Sequence, residues 1–92
     1  MTHRPPDSFV KALAALPAGT MTGRACGQRW ILCKTIFNGG RSIKLVAEEL
    51  GGRDYISFNL YNLDSGPALF PCEMSTGKVV AFLTGFQLDP DP

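Results

Sequence analysis

Between Tyr55 and Leu63 the chain alternates without a break, with Ile56, Phe58 and Leu60 in one phase and Ser57, Asn59 and Tyr61 in the other. A period of two is the signature of a β-strand, whose successive side chains point to opposite faces. A strand that is apolar in one phase only belongs to a sheet covered on one side and open on the other. Turn residues flank it on both sides, Gly51-Gly52-Arg53-Asp54 before and Asp64-Ser65-Gly66-Pro67 after. The neighbouring segments obey the same logic. Trp30 to Phe37 is rich in aromatic and β-branched residues, and Asn38-Gly39-Gly40 supplies residues that tolerate positive φ, so a hairpin is predicted there. Arg41 to Leu50 is the return strand, with Ile43, Leu45 and Ala47 in one phase and Ser42, Lys44, Val46 and Glu48 in the other. A short last strand runs through Ala68, Leu69 and Phe70; Pro71 has no N–H to donate, which makes this an edge.

Helical spacing occurs only near the two ends. Phe9, Val10, Leu13 and Leu16 recur on one helix face, Asp7 or Ser8 can cap the first turn, and Pro17 and Gly19 stop it. Ser75 or Thr76 caps a second helix from Lys78 to Phe86, carrying Val79, Phe82, Leu83 and Phe86 on one face, with Gly85 marking its end. Consecutive strands joined by short turns usually pair. The expected fold is therefore α+β: a four-stranded antiparallel β-meander with one short helix at each end, a two-layer α/β sandwich. Its 92 residues make a single domain, with 1–6 and 87–92 as mobile tails.

The first strand breaks the simple pattern. Trp30, Leu32 and Ile36 are apolar on one side, while Ile31, Cys33 and Phe37 are apolar on the other. Two short helices cover one face of such a sheet, so the second face calls for a second copy of the chain or another protein, unless a bulge near Cys33 or Lys34 turns these side chains inward.

Charge is uneven along the chain. Residues 1–44 hold seven Lys and Arg against Asp7 alone, net +6, and residues 45–92 hold Arg53 and Lys78 against seven acids, net −5. Opposite charges can pair across adjacent strands, or the basic face can meet an acidic partner or another copy of the chain. Cys26, Cys33 and Cys72 are odd in number and widely spaced, which points to free thiols, a reducing compartment and a cytoplasmic location. Neither a signal peptide nor a membrane span is expected.

Sites for chemistry are few. Zinc needs a tight set of Cys, His or carboxylate ligands, and the only histidine is His3, so no metal or other cofactor is expected. The same shortage removes the usual general base. Cys72, just before the second helix, is the candidate reactive thiol, although Glu73 beside it opposes thiolate formation. Thr76-Gly77-Lys78 looks like the end of a phosphate loop but lacks the earlier glycine and the Ser or Thr after the lysine. Glu48 and Glu49, as neighbours in a strand, face opposite ways and read as a solvated strand end. Arg29, Lys34, Arg41 and Lys44 lie near Trp30 and Phe37 on the first hairpin, the ingredients of a nucleic-acid platform. Against it, Arg29 and Lys34 fall on opposite faces, and overall basicity is low. The open face of Ser57, Asn59 and Tyr61 is the other candidate binding surface.

The helix, meander, helix order resembles the layout of frataxin-like domains as a topology. Their acidic first helix is absent, Asp7 being the only acid before Glu48, so none of their iron chemistry is carried over. The expectation is a small non-enzymatic binding or protein-interaction domain, with a protein partner or self-association. A nucleic-acid-binding accessory protein is the alternative, and a small enzyme using Cys72 the third reading.

Overall fold

A computed structural model describes residues 4–90. The elements run α1 (Asp7–Ala15), β1 (Gly19–Ala25), β2 (Gln28–Phe37), β3 (Ser42–Glu49), β4 (Tyr55–Leu63), β5 (Gly66–Pro71), α2 (Thr76–Thr84) and β6 (Gln87–Leu88). The fold is α+β, with two helices and one antiparallel sheet in the order β5-β4-β3-β2-β1-β6. Six strands stand where four were expected. The predicted hairpin, the return strand, the central alternating strand and the Pro71 edge are all present, as β2 to β5.

The two additional strands have physical reasons for being missed. β1 reads Gly-Thr-Met-Thr-Gly-Arg-Ala, and of its inward positions Met21, Gly23 and Ala25 only the first is a large apolar side chain, so no apolar phase stands out. Its turn is the two-residue loop Cys26-Gly27, with φ of 53° and 74°, closing the Ala25–Gln28 pair. Two positive φ values match a type I′ hairpin, but Cys in the first place is not the Asn or Asp that usually signals one. β6 falls in the segment read as a tail: Gln87 and Leu88 pair with Arg24 and Gly23. Gly23 makes this possible, because a Cβ there would collide with the Phe86 ring and the Gln87 carbonyl oxygen.

Phe9, Leu13, Val79, Phe82 and Leu83 of the helices share one buried cluster with Trp30, Leu32, Leu45, Ile56 and Phe58 of the sheet. The Phe9 and Phe58 rings lie 5.3 Å apart, and Trp30 meets Phe82 edge-on at 4.7 Å. Pro6 is the N-cap of α1 and offers no side-chain cap, so neither Asp7 nor Ser8 caps the helix; Asp7 lies within the first turn, beside the positive end of the helix dipole. In α2 the cap is Ser75, whose Oγ accepts the Lys78 N–H at 3.1 Å, and Gly85 comes directly after its last residue.

Candidate functional site

Both helices pack on the face that carries Phe58, so the opposite face of the sheet is left uncovered. Pairing from Trp30–Glu49 through Phe37–Ser42 is continuous, which rules out the bulge in β2. Ile31, Cys33 and Phe37 therefore do point away from the helices. Trp30 does not belong to that surface: it is 3 % exposed, and its Nε1–H donates to the Ala25 carbonyl at 3.0 Å.

Across the open face, register aligns side chains into rows. Thr20, Cys33, Val46 and Ser57 lie abreast on four strands, and the Cys72 N–H donates to the Ser57 carbonyl at 2.9 Å, continuing the row to the edge. On one side of this row lie Thr22, Ile31, Glu48 and Tyr55; on the other lie Thr35, Lys44, Asn59 and Phe70. A shallow groove of about 260 Å³ runs along it, lined by Thr20, Ile31, Cys33, Val46 and Glu48. Tyr61 stands next along and meets Phe70 edge-on at 5.3 Å.

The residues singled out in the sequence are thus divided. Ser57, Asn59, Tyr61, Arg29 and Lys44 are on the open face, and Arg41 is exposed at the β2–β3 turn. Lys34 and Trp30 are inside. Lys34 is 4 % exposed, and its Nζ donates to the Leu13 and Leu16 carbonyls at 2.7 and 2.8 Å. Arg29 is held by Asp89 at 2.6 Å, so the basic hairpin does not form a continuous platform with Trp30. Cys72 is half-buried, and the side chain that reaches its Sγ is the Asn59 amide, at 3.8 Å, which is not a general base. His3 lies outside the described residues. Among those residues no group of three or more His, Cys, Asp or Glu could hold a metal ion, and no helix is long and apolar enough to cross a membrane.

A second concave region lies on the helix side, where the Cys26-Gly27 turn, the β3–β4 turn and α2 meet. It encloses about 370 Å³, with Trp30, Ile56 and Phe82 as its floor and Glu49, Asp54 and Lys78 at its mouth. Lys78 Nζ and Asp54 Oδ1 are 2.6 Å apart, and the Tyr55 N–H also donates to Asp54 at 2.8 Å. The bond from Lys78, with help from Tyr55, holds the Asp54 carboxyl below the ordinary carboxylate range. Glu48 and Glu49 do face opposite ways, and Glu49, half-buried at the strand end, lines this cleft. The sequence carried that signal: Glu49 is in phase with the inward Ile43, Leu45 and Ala47.

Compared with known protein families, curated proteins and solved structures, the chain matches none.

Proposed function

We propose that the chain is a non-enzymatic interaction domain that pairs with a second copy of itself through the open face of its sheet. The observation that carries this reading is β2, apolar on both sides in unbroken register, with Ile31 and Cys33 left outside the helix-covered core. A strand of that kind favours cover on both faces. In this reading each copy is a two-layer α/β unit, and the second copy supplies the missing layer.

The distribution of charge fits a two-fold partner. Lys44 and Glu48 flank Val46 on β3, two residues to either side, or roughly 7 Å along the strand. A two-fold axis lying over the row Thr20–Cys33–Val46–Ser57 sets each strand antiparallel over its own copy. Lys44 then faces Glu48 of the second copy, twice, and Ile31 faces Thr35. The row itself is built of small side chains, which suits two sheets about 10 Å apart.

Scattering and charge reversal test the arrangement together. The single copy has a radius of gyration of 12.6 Å, and a compact dimer of this chain is expected near 16 Å. Wild type should move toward the larger value as concentration rises. Lys44→Glu, which faces carboxylate with carboxylate, should weaken association by about tenfold or more, and Lys44→Glu with Glu48→Lys should restore it. A monomer value up to millimolar concentration, or a double reversal no better than the single one, overturns the reading and leaves the face to a different protein.

A further inference from the structure

We infer that the edges of the sheet are guarded against strand addition by prolines set where the backbone would otherwise donate outward, so that association of this chain is not extended edge to edge into open-ended assemblies. The inference concerns the edges alone and holds whether or not two copies meet face to face.

Along an antiparallel strand, successive residues turn their N–H and C=O alternately to one neighbour and to the other. The Cys72 N–H donates to the Ser57 carbonyl at 2.9 Å, and on the far side of β4 the Asn62 N–H donates to the Arg41 carbonyl at 2.8 Å. With the register of β4 against β5, these two bonds fix the phase of the whole edge. Gly66, Ala68 and Phe70 turn their backbone groups to β4, opposite Leu63, Tyr61 and Asn59. Pro67, Leu69 and Pro71 turn theirs outward. An arriving strand looks for a donor at every second residue of the edge. Here it meets the Leu69 N–H alone, with a pyrrolidine ring on either side. Proline at 66, 68 or 70 would instead have removed a bond to β4, so both rings stand where they obstruct a newcomer and cost the fold nothing.

The opposite edge follows the same rule. Asp89 donates its N–H to the Thr22 carbonyl and Gln87 lies opposite Arg24, so Leu88 and Pro90 are in the outward phase. The Phe86 N–H, next in that phase, is spent on the Leu83 carbonyl at 3.3 Å. Leu88 is therefore the single outward donor of this stretch, and where β1 runs on past β6 its outward phase holds Thr20 alone. Two further features limit the β5 edge. Arg4 Nη1 donates to the Ser65 carbonyl at 3.3 Å, which places a cation at its start, and Glu73, with φ of 60°, takes the chain out of strand geometry just past its end. Prolines, charge and shortness are the means by which sheet edges are kept from pairing with other chains.

Amide exchange reads the edge directly in the wild-type protein. The Leu69 N–H should exchange at the same rate, within about twofold, from micromolar to millimolar protein, while the Phe70 N–H, turned to β4, stays protected. Pro67→Ala combined with Pro71→Ala restores two outward donors and alters no bond to β4. In that variant Leu69 exchange should slow by at least about tenfold over the same range, and scattering should give a radius of gyration above that of wild type at equal concentration. Retained Phe70 protection identifies the folded variant, and either single substitution should give a smaller slowing in the same direction. Adding Lys44→Glu should leave these results unchanged, which separates them from the fate of the face-to-face pair. Slowing of Leu69 exchange with concentration in wild type would reveal an open edge and overturn the inference. A folded double variant whose Leu69 exchange ignores concentration overturns it as well, because the prolines would then guard nothing.

Discussion

Lys34 shows how far a single residue's role can lie from its local sequence. It sits at an inward position of β2 after Trp30 and Leu32, and its ammonium reaches the Leu13 and Leu16 carbonyls at the end of α1. The Leu13 carbonyl also accepts the Leu16 N–H at 3.2 Å, and both carbonyls lie at the negative end of the helix dipole, so the sheet adds a charged donor to the C-terminal cap of α1. Burial lowers the Lys34 pKa, since desolvation penalises the charged form. Lys34→Met keeps most of the aliphatic body and removes the donors. It should destabilise the fold by about 1–3 kcal/mol in urea melts at neutral pH. The pH dependence has a definite sign. Between the lowered folded value and the ordinary lysine value the unfolded chain binds more protons, so wild-type stability gains from this group as pH rises through that window. The neutral amine still has hydrogens to donate. The gap between wild type and Lys34→Met should therefore widen from pH 7 to about pH 10; a narrowing gap would show that the carbonyls favour the ammonium by more than burial disfavours it. Nothing around Lys34 in the sequence could announce this role, because the carbonyls it caps belong to residues 18 and 21 positions earlier. Phe58 is the contrasting case: its inward direction comes from strict alternation and needs no knowledge of the partner.

At the scale of elements, legibility depended on the size of the inward side chains. β3 and β4 place Leu45, Ile56, Phe58 and Leu60 inward, and their phase is plain in the sequence. β1 places Gly23 and Ala25 inward, because the Phe86 ring needs the space, and so its phase is silent. β6 is two residues long, with no pattern to read, and it is anchored by its C-terminal neighbour, Asp89. The Asp89 N–H donates to the Thr22 carbonyl at 3.0 Å, and Thr22 Oγ1 donates to the Asp89 carboxylate at 2.7 Å. The Thr22 bond first, then Arg29, lowers the Asp89 pKa. A carboxylate depressed in the folded state stabilises it above the ordinary carboxylate range, and that contribution is lost as pH falls through the lowered value. Acid should therefore loosen β6 locally before the rest of the sheet. In amide exchange, protection of the Asp89 N–H should fall as pH drops below the ordinary carboxylate range, while Phe58 stays protected. Asn in place of Asp89 should show the weaker protection at neutral pH. Simultaneous loss at both positions would mean that β6 opens only with the whole domain.

Over the whole molecule, the charge asymmetry of the two sequence halves is partly closed by topology. The strand order brings the acidic end of the chain back beside β1, where Asp89 reaches Arg29 of the neighbouring β2, while Lys78 meets Asp54 on the helix side. Lys44 and Glu48 remain on the middle strand of the open face, the two charges that a second copy would pair. The three cysteines report on these surfaces separately. Cys26 and Cys33 are exposed, and Cys72 is half-buried beneath Asn59. In dilute solution, alkylation should modify Cys26 and Cys33 faster than Cys72. As concentration rises, face-to-face pairing should slow Cys33 more than Cys72, which continues the same row at the sheet edge, and should leave Cys26 unaffected. No disulfide should result, because sheets stacked about 10 Å apart hold the two backbones beyond the roughly 4.4–6.8 Å Cα separation that a bridge spans. Non-reducing mass spectrometry should accordingly find three free thiols even in concentrated samples. Pairing through the β5 edge would give a different pattern, with Cys72 protected and Cys33 unchanged, because Cys72 extends the edge strand and Cys33 lies three strands away. Protection of Cys72 without Cys33 would thus replace the face-to-face dimer with an edge-to-edge one, and equal reactivity at all concentrations would leave the open face without a second copy.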